Sequence, residues 1–289
     1  MPWVLRIPGE GYFVNWIRDD YILIKTASIA LNPTDWKHIA FLAPPGLLVG
    51  CDYAGTVEAV GASEACTLGV GITTVGQGLY QSLKLEMPFS GNGGRGTVLV
   101  YGGSTAMGTL AIQFAKLSGY KVITTCSGRN FELVRGLGAD AVFDYMDPGA
   151  AGQIRDYTED RLGLVLDTIS TEASARFCDA ALSTRGGEYS ALLDVGIERE
   201  NVNDRWTLAY TAFGGDFTFG ETFMPAKLED RAFAERFWVL AERLLAEGKI
   251  RVHTPRVCPG GLGGVLDGLE ALKEGRVSGE KLVYNVENV

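Results

Sequence analysis

Histidine is nearly absent from this 289-residue chain: His38 and His253 are the only two. A zinc site built from imidazoles therefore lacks ligands, and a histidine-based acid–base pair or nucleophilic triad has little to draw on. Cysteine is sparse as well. Cys51, Cys66, Cys126, Cys178 and Cys258 are odd in number, far apart and contain no CxxC pair. That spacing argues against a disulfide framework or a cysteine zinc site and reads as buried thiols in a reducing compartment. No run of about 18 apolar residues occurs, so no membrane-spanning helix is expected. The first twenty residues, interrupted by Arg6, Glu10, Arg18, Asp19 and Asp20, contain no apolar core of a secretory signal. A cytoplasmic location is the expectation. Basic residues are outnumbered 26 to 35, for a net charge of −9. Such a chain lacks the footprint of a nucleic-acid binder, although a local basic pocket for a phosphate remains open.

Glycine, by contrast, is abundant. The chain has 38, where a background of ~7% would give about 20, which implies many tight turns and close backbone approaches. Hydrophobic residues make up 46% and charged residues 21%, the balance of a globular protein with one large domain or two modest ones. Residues 21–31 and 50–60 read as strands, with Asn32-Pro33-Thr34-Asp35 as a turn. A Gly-rich stretch over 61–96 contains one candidate helix and ends in a polar linker, 86–96. After it the pattern changes. Short apolar runs at 97–102, 121–125, 141–143, 162–169 and 187–193 alternate with helical patterns at 105–118, 130–138, 151–160 and 172–182. This alternation means βαβ units with right-handed crossovers, and so an α/β fold with a doubly wound parallel sheet. Helices at 231–247 and 262–274 and a strand at 281–286 complete the pattern.

The strand–turn–helix at 97–118 carries the clearest chemistry. A dinucleotide fingerprint requires G-x-G-x-x-G between a strand and a helix. Here Gly103 takes the first glycine position and Gly108 the third, with Thr105 in the middle and Ser104, Ala106 and Met107 between them. The first glycine permits the tight turn and the third permits close helix–strand packing. The helix N-terminus offers unpaired N–H groups to a pyrophosphate. An NAD site places Asp or Glu about 20 residues beyond the first glycine. Here the region reads Ser127-Gly128-Arg129-Asn130, and no carboxylate appears before Glu132. Arg129 supplies a cation for a 2′-phosphate, and Ser127 and Asn130 supply donors, so the pattern favours NADPH.

The segments GCDYAGTV, YGGSTAMGTLAIQFAKLSGY, TCSGRNFELV, GADAVFDY and SGEKLVY, in this order, resemble the medium-chain dehydrogenase/reductase superfamily. More narrowly, they resemble its zinc-independent, trans-acting fungal enoyl reductases, which serve polyketide synthases and hybrid synthetases. The likeness runs from about Tyr21 to Tyr284. It implies a GroES-like β-barrel domain over 1–90, a Rossmann domain over 91–220, and a C-terminal part, 221–289, that returns to the first. It also implies site residues. Thr34 and Lys37 would face the cofactor, Ser104 and Thr105 would hold the pyrophosphate, and Ser127, Asn130 and Tyr145 would surround the 2′-phosphate. Leu192 and Leu193 would contact the nicotinamide, and Lys281 and Leu282 the far wall. Gly71, Ile72, Thr73 and Thr74, with Phe213 opposite, would line an acyl pocket. No metal is implied, because zinc-dependent relatives carry Cys and His ligands where this chain has Asn32-Pro33-Thr34-Asp35 and Gly50-Cys51-Asp52. The implied chemistry is hydride delivery to an α,β-unsaturated thioester, with backbone N–H groups or Lys37 stabilising the enolate. The implied protein is a monomer that binds no nucleic acid or membrane and works with a partner polyketide synthase.

The chain departs from that family in two places. The segment before Tyr21 is short and broken by Pro and Gly. GTVEAVG at 55–61 runs almost directly into EACTLGVGITTVG at 64–76, so barrel segments between Ser63 and Glu64 are missing. The expectation is a truncated barrel with open strand edges and a weakened reductase. A non-redox pseudoenzyme, isomerase or cyclase on the same scaffold stays open, as does a quinone or aldehyde reductase.

Overall fold

Asn32-Pro33-Thr34-Asp35, read as a turn, is the start of a helix in the computed structural model, which describes residues 26–42, 50–55, 66–90 and 96–286. Strand β1 (Thr26–Ala30) leads into helix α1 (Pro33–Phe41). Proline at the first helical position has its φ preset for the helix and no N–H to waste. The Asn32 N–H donates to the Asp35 carboxylate at 2.6 Å, one half of a capping box. Strand β2 (Asp52–Gly55) and helix α2 (Gly69–Gly76) follow, and the last turn of α2 widens into π-helical winding at Gln77–Ser82.

From Thr97 the β-branched runs become six parallel strands: β3 (Thr97–Tyr101), β4 (Lys121–Cys126), β5 (Ala141–Asp144), β6 (Leu164–Asp167), β7 (Gly187–Ala191) and β8 (Val202–Trp206). Their order in the sheet is β5-β4-β3-β6-β7-β8. Central strands of a parallel sheet are covered on both faces and so read as continuous apolar runs. Helices α3 (Ala106–Leu117), α4 (Phe131–Gly136), α5 (Ala150–Tyr157) and α6 (Glu172–Ala181) make the crossovers. Leu99, Ile123, Val165 and Tyr189 pack with Ile154 of α5 and Cys178 of α6 in one buried cluster. Helix α7 (Leu228–Ala246) contributes Phe237, whose ring lies 5.0 Å from that of Phe114 on α3. Strand β8, sequence VNDRW, is too polar to announce itself as a strand. It forms the sheet edge, where Arg205 pairs with Glu188 across the ladder.

A second sheet has the order β11-β12-β1-β2, built from β11 (Pro255–Cys258) and β12 (Lys281–Asn285) with the first two strands. Strand β12 runs parallel to β11 and antiparallel to β1, with Ser28 opposite Asn285. Leu31, Leu282 and Tyr284 form its core with Ala271 of helix α8 (Val265–Lys273). A hairpin, β9 (Phe217–Phe219) and β10 (Thr222–Met224), packs Phe219 against the His38 ring of α1 at 6.2 Å.

The chain divides into two compact units. The first comprises 1–70, 216–225 and 252–289, and the second comprises 71–215 and 226–251. The boundary therefore falls at Val70, not at residue 90, and 226–251 belongs with the Rossmann sheet. Bare glycines allow this. A Cβ on Gly71 would lie 2.7 Å from Leu110 Cδ1, and one on Gly76 would lie 2.5 Å from Phe237 Cδ1. Among the described residues the first unit's sheet is open, with β11 and β2 at its edges. The junction between Ser63 and Glu64 lies outside them. No helix among the described residues is long and apolar enough to cross a membrane.

Candidate dinucleotide site

Strand β3 ends at Tyr101, and the chain turns through Gly102 at φ +82° into α3. That left-handed φ requires glycine. The Gly102 N–H donates to the Thr125 hydroxyl at 3.1 Å, and the Gly103 N–H to the Thr125 carbonyl at 2.8 Å, which pins the turn to β4. A Cβ on Gly103 would meet Thr124 Oγ1 at 2.0 Å, and one on Gly108 would meet the Gly102 carbonyl oxygen at 2.2 Å. The turn and the helix thus approach as closely as two backbones can. Thr105 caps the helix by accepting the Gly108 N–H at 2.9 Å. The N–H groups of Ser104, Ala106 and Met107 have no partner among the described residues. A helix N-terminus with free donors and no crowding side chain suits an anion, so these residues fit a dinucleotide's pyrophosphate.

Thr105 differs from expectation. Its hydroxyl lies 3.0 Å from that of Thr168, and the Thr168 proton is already donated to the Tyr101 carbonyl at 2.8 Å. A hydroxyl has one proton, so Thr105 donates to Thr168 and has none left for a phosphate. Ser104 remains available.

The β4–α4 turn places Ser127, Gly128, Arg129 and Asn130 together. Arg129 is exposed and makes no ion pair among the described residues. Glu132 is turned to Arg135 at 2.8 Å, away from any ribose role. Asn130 is buried, its N–H bonded to the Ser127 carbonyl. Sequence reasoning missed Asp144, at the end of the adjacent β5. Its Oδ2 lies 3.8 Å from where a Gly128 Cβ would stand. Tyr145 is 43% exposed, with its ring 6.4 Å from that of Tyr101. Leu192 is held by its N–H bond to the Ser170 hydroxyl at 2.7 Å, and Leu193 is exposed.

The residues expected at the acyl pocket fare unevenly. Gly71 and Thr74 are buried in α2, and Ile72 is 0% exposed, because α2 packs into the Rossmann core. Thr73 accepts the Trp238 indole N–H at 3.1 Å. Phe213 is 54% exposed on a short 3-10 turn, held by a Gln77–Thr211 hydrogen bond of 3.0 Å.

In the first unit, Thr34 lies 3.4 Å from His38 Nε2. Lys37 is half-buried and has no carboxylate partner among the described residues, its Nζ 6.0 Å from the Trp36 ring. Lys281 and Leu282 do not offer their side chains as a wall. Leu282 is in the core, and Lys281 is buried in an ion pair with Asp52. Asp52 also accepts the Asn32 amide at 3.0 Å and the Val70 N–H at 2.8 Å. Burial pushes the nearby Asp35 carboxyl up to about 6. Burial, with Lys281 assisting, pushes the His253 imidazole down to about 4. No group of three or more His, Cys, Asp or Glu side chains among the described residues could hold a metal ion.

Known families match along the chain. The "Alcohol dehydrogenase GroES-like domain" covers residues 18–113, and "Zinc-binding dehydrogenase" covers 106–190. The trans-enoyl reductase TOXD of Cochliobolus carbonum is 54% identical over 251 positions, spanning 70% of this chain and 84% of the relative. The chain belongs to the trans-enoyl reductases of the medium-chain dehydrogenase/reductase superfamily. Another trans-enoyl reductase, resD of Aspergillus sclerotiorum, is 41% identical over 349 positions, covering 96% of this chain and 98% of its own. That alignment is longer than this chain, so at least 60 positions of this trans-enoyl reductase face a gap here. Among solved structures, the CurK enoyl reductase superposes with a TM-score of 0.69 at 16% identity, covering 91% of this chain and 90% of that one. A zinc-dependent alcohol dehydrogenase-like protein of Rhizobium etli gives 0.71 at 20%, covering 92% and 89%. These two likenesses establish the fold. The superfamily is pyridine-nucleotide-dependent.

Proposed function

We propose that this protein reduces the α,β-double bond of an unsaturated acyl thioester presented by a partner polyketide synthase, with NADPH as reductant. The observation that carries the nucleotide choice is the β4–α4 turn, with an exposed Arg129 that makes no ion pair among the described residues and no carboxylate on the turn itself. A charge-assisted hydrogen bond to a 2′-phosphate contributes roughly 1.5–3 kcal/mol. When bound, the dinucleotide supplies the hydride for the substrate's β-carbon.

The protein's own residues bind and orient. The free N–H groups of Ser104, Ala106 and Met107 and the Ser104 hydroxyl hold the pyrophosphate. Ser127, Gly128, Arg129, Asn130 and Tyr145 hold the adenosine end, and Leu192 and Leu193 border the nicotinamide. Lys37 serves as the donor to the enolate oxygen, with Thr34 beside it on α1. Phe213 offers an exposed apolar face to the acyl chain. The names of the relatives, trans-enoyl reductases all, support this reading.

The gap against resD favours a second reading, a non-redox protein on the same scaffold. Incubation with NADPH and an enoyl thioester, followed at the nicotinamide absorbance, separates the two. Oxidation of NADPH in step with double-bond loss is expected. Tight NADPH binding with no oxidation against any enoyl thioester would overturn the reductase reading.

A further inference from the structure

The loop after β6 is tied to the phosphate turn by side chains that have no part in the proposal above. Asp167 anchors it. Its carboxylate is fully buried and accepts four hydrogen bonds. The Ile169 and Ser170 N–H groups donate to Oδ1, both at 2.9 Å. The hydroxyls of Ser174 and Tyr189 donate to Oδ2 at 2.6 and 2.8 Å. Each of these four donors is neutral, so among the described residues dipoles hold the buried carboxylate. This fixes the loop in a conformation its residues resist, for Ser170 sits at φ +55°. At one end of the loop, the Ser170 hydroxyl receives the Leu192 N–H.

Thr168 stands at the other end. Its proton goes to the Tyr101 carbonyl at 2.8 Å, with the Gly102 carbonyl at 3.1 Å. Its oxygen accepts from Thr105, whose oxygen in turn accepts from the Gly108 N–H. With one proton per hydroxyl, the chain of donors has a single direction. It runs from Gly108 N–H to Thr105, from Thr105 to Thr168, and from Thr168 to the carbonyl that ends β3. All three hydroxyl and amide protons are committed inside the protein, and none faces a ligand.

We infer that Thr168 is a positioning residue of the dinucleotide site. By receiving the Thr105 proton, it holds the Thr105 oxygen in the orientation that caps α3. The first turn of the helix then stays wound, with its free N–H groups in place for the pyrophosphate. The same side chain binds the Asp167-anchored loop to that turn, so the pyrophosphate cradle and the Leu192 segment move as one piece. This inference rests on the reading of the β3–α3 turn as a pyrophosphate cradle.

The test uses two probes, NADPH and adenosine 2′-monophosphate, which has the 2′-phosphate but no pyrophosphate. Affinities are measured by titration calorimetry on the intact protein. Thr168→Val, which keeps the shape and removes the hydroxyl, should weaken NADPH about tenfold, the effect of one buried hydrogen bond. It should leave adenosine 2′-monophosphate within about twofold. Thr168→Ser should restore NADPH affinity. Because the two hydroxyls form one chain, Thr105→Val with Thr168→Val should bind NADPH no more weakly than the worse single variant. Equal loss for both probes, unchanged NADPH binding in Thr168→Val, failure of Thr168→Ser to rescue, or additive losses would each overturn the inference. Wild-type protein that binds neither probe would overturn the dinucleotide reading itself, and this inference with it. Wild-type protein that binds both, beside an unaffected Thr168→Val, would overturn the positioning role alone.

Discussion

One added methyl group should disable the nucleotide site. In Gly108→Ala the new Cβ would lie 2.2 Å from the Gly102 carbonyl oxygen, 2.7 Å from Gly103 Cα and 2.8 Å from Gly103 C. Ordinary carbon contacts begin near ~3.5 Å, so turn and helix must separate by about 1 Å. The obstructing atoms are all backbone, and two hydrogen bonds to Thr125 hold that backbone to β4. The turn has no side chain that can swing aside. Overpacking of this kind typically costs ~1–3 kcal/mol, and disruption of the Thr105 cap adds ~1 kcal/mol. The ligand loses more, because the separation moves the free N–H groups of the first turn. Loss of one or two charge-assisted hydrogen bonds, at ~1.5–3 kcal/mol each, implies NADPH binding weakened by ~100-fold or more. Titration of NADPH into wild type and variant measures this, with circular dichroism to confirm the fold. Gly152→Ala, on α5 and outside the proposed site, is the control, since its Cβ would find nothing within 4 Å. That variant should bind within about threefold of wild type if the reasoning holds. Gly108→Ala binding as tightly as wild type, with its fold intact, would refute the argument.

Other substitutions probe separate links. Arg129→Glu should weaken NADPH at least ~10-fold and leave NADH unchanged, through loss of a charged hydrogen bond; equal effects on the two cofactors would remove Arg129 from the 2′-phosphate site. Asp144→Asn should tighten NADPH by no more than ~5-fold, since two unit charges 4 Å apart in water interact by only ~1 kcal/mol. Lys281→Met leaves Asp52 buried without its cation and should cost ~3–5 kcal/mol in denaturant unfolding, while Lys281→Met with Asp52→Asn should recover much of it; additive losses would contradict the pairing. Two buried groups act in opposite directions on the pH dependence, beside His38 and several carboxylates that are also lowered. His253, pushed down to about 4, makes stability rise with pH from about 4 to its ordinary 6.5. Asp35, pushed up to about 6, makes stability fall as pH rises from 3.8 to about 6. The slopes oppose; the Asp35 part, on the order of 3 kcal/mol between pH 4 and 6, is isolated by comparing wild type with Asp35→Asn, whose stability should rise more steeply with pH over that range. An Asp35→Asn profile with the same slope as wild type would show that Asp35 is not an opposing group. Cys51→Ser should leave NADPH binding unchanged, and stoichiometric zinc in the purified protein would contradict the zinc-free reading.

The Rossmann half was legible because its central strands are buried on both faces and written in Val, Ile and Leu. Thr97–Tyr101 and Lys121–Cys126 follow that pattern closely. Strand β8 was not legible, since an edge strand needs only one apolar residue facing in, and VNDRW supplies Val202. Strand β11 was hidden for a similar reason: among the described residues its PRVC pairs only with β12, and it buries little. The glycines of the phosphate turn were readable by spacing. The fate of the Thr105 proton was not, because it depends on Thr168, 63 residues away along the chain. Asp144 escaped because the carboxylate beside Gly128 comes from the next strand rather than from the end of β4. Pocket residues carried over by resemblance were the least secure, as the buried Ile72 and the paired Lys281 show.

The position of β12 has a consequence for how the protein is made. This strand is the inner partner of both β1 and β11, and Ser28 waits for Asn285, 257 residues later. At roughly 5–20 residues per second, a ribosome delivers that partner about 13–50 s after β1 emerges. Through this interval β1 has one edge without its strand, while the Rossmann sheet already has all six of its strands once Trp206 is out. The two units therefore mature on different clocks during synthesis. A stalled or prematurely terminated nascent chain would carry a finished nucleotide sheet beside an exposed strand edge, a form that chaperones would have to shield.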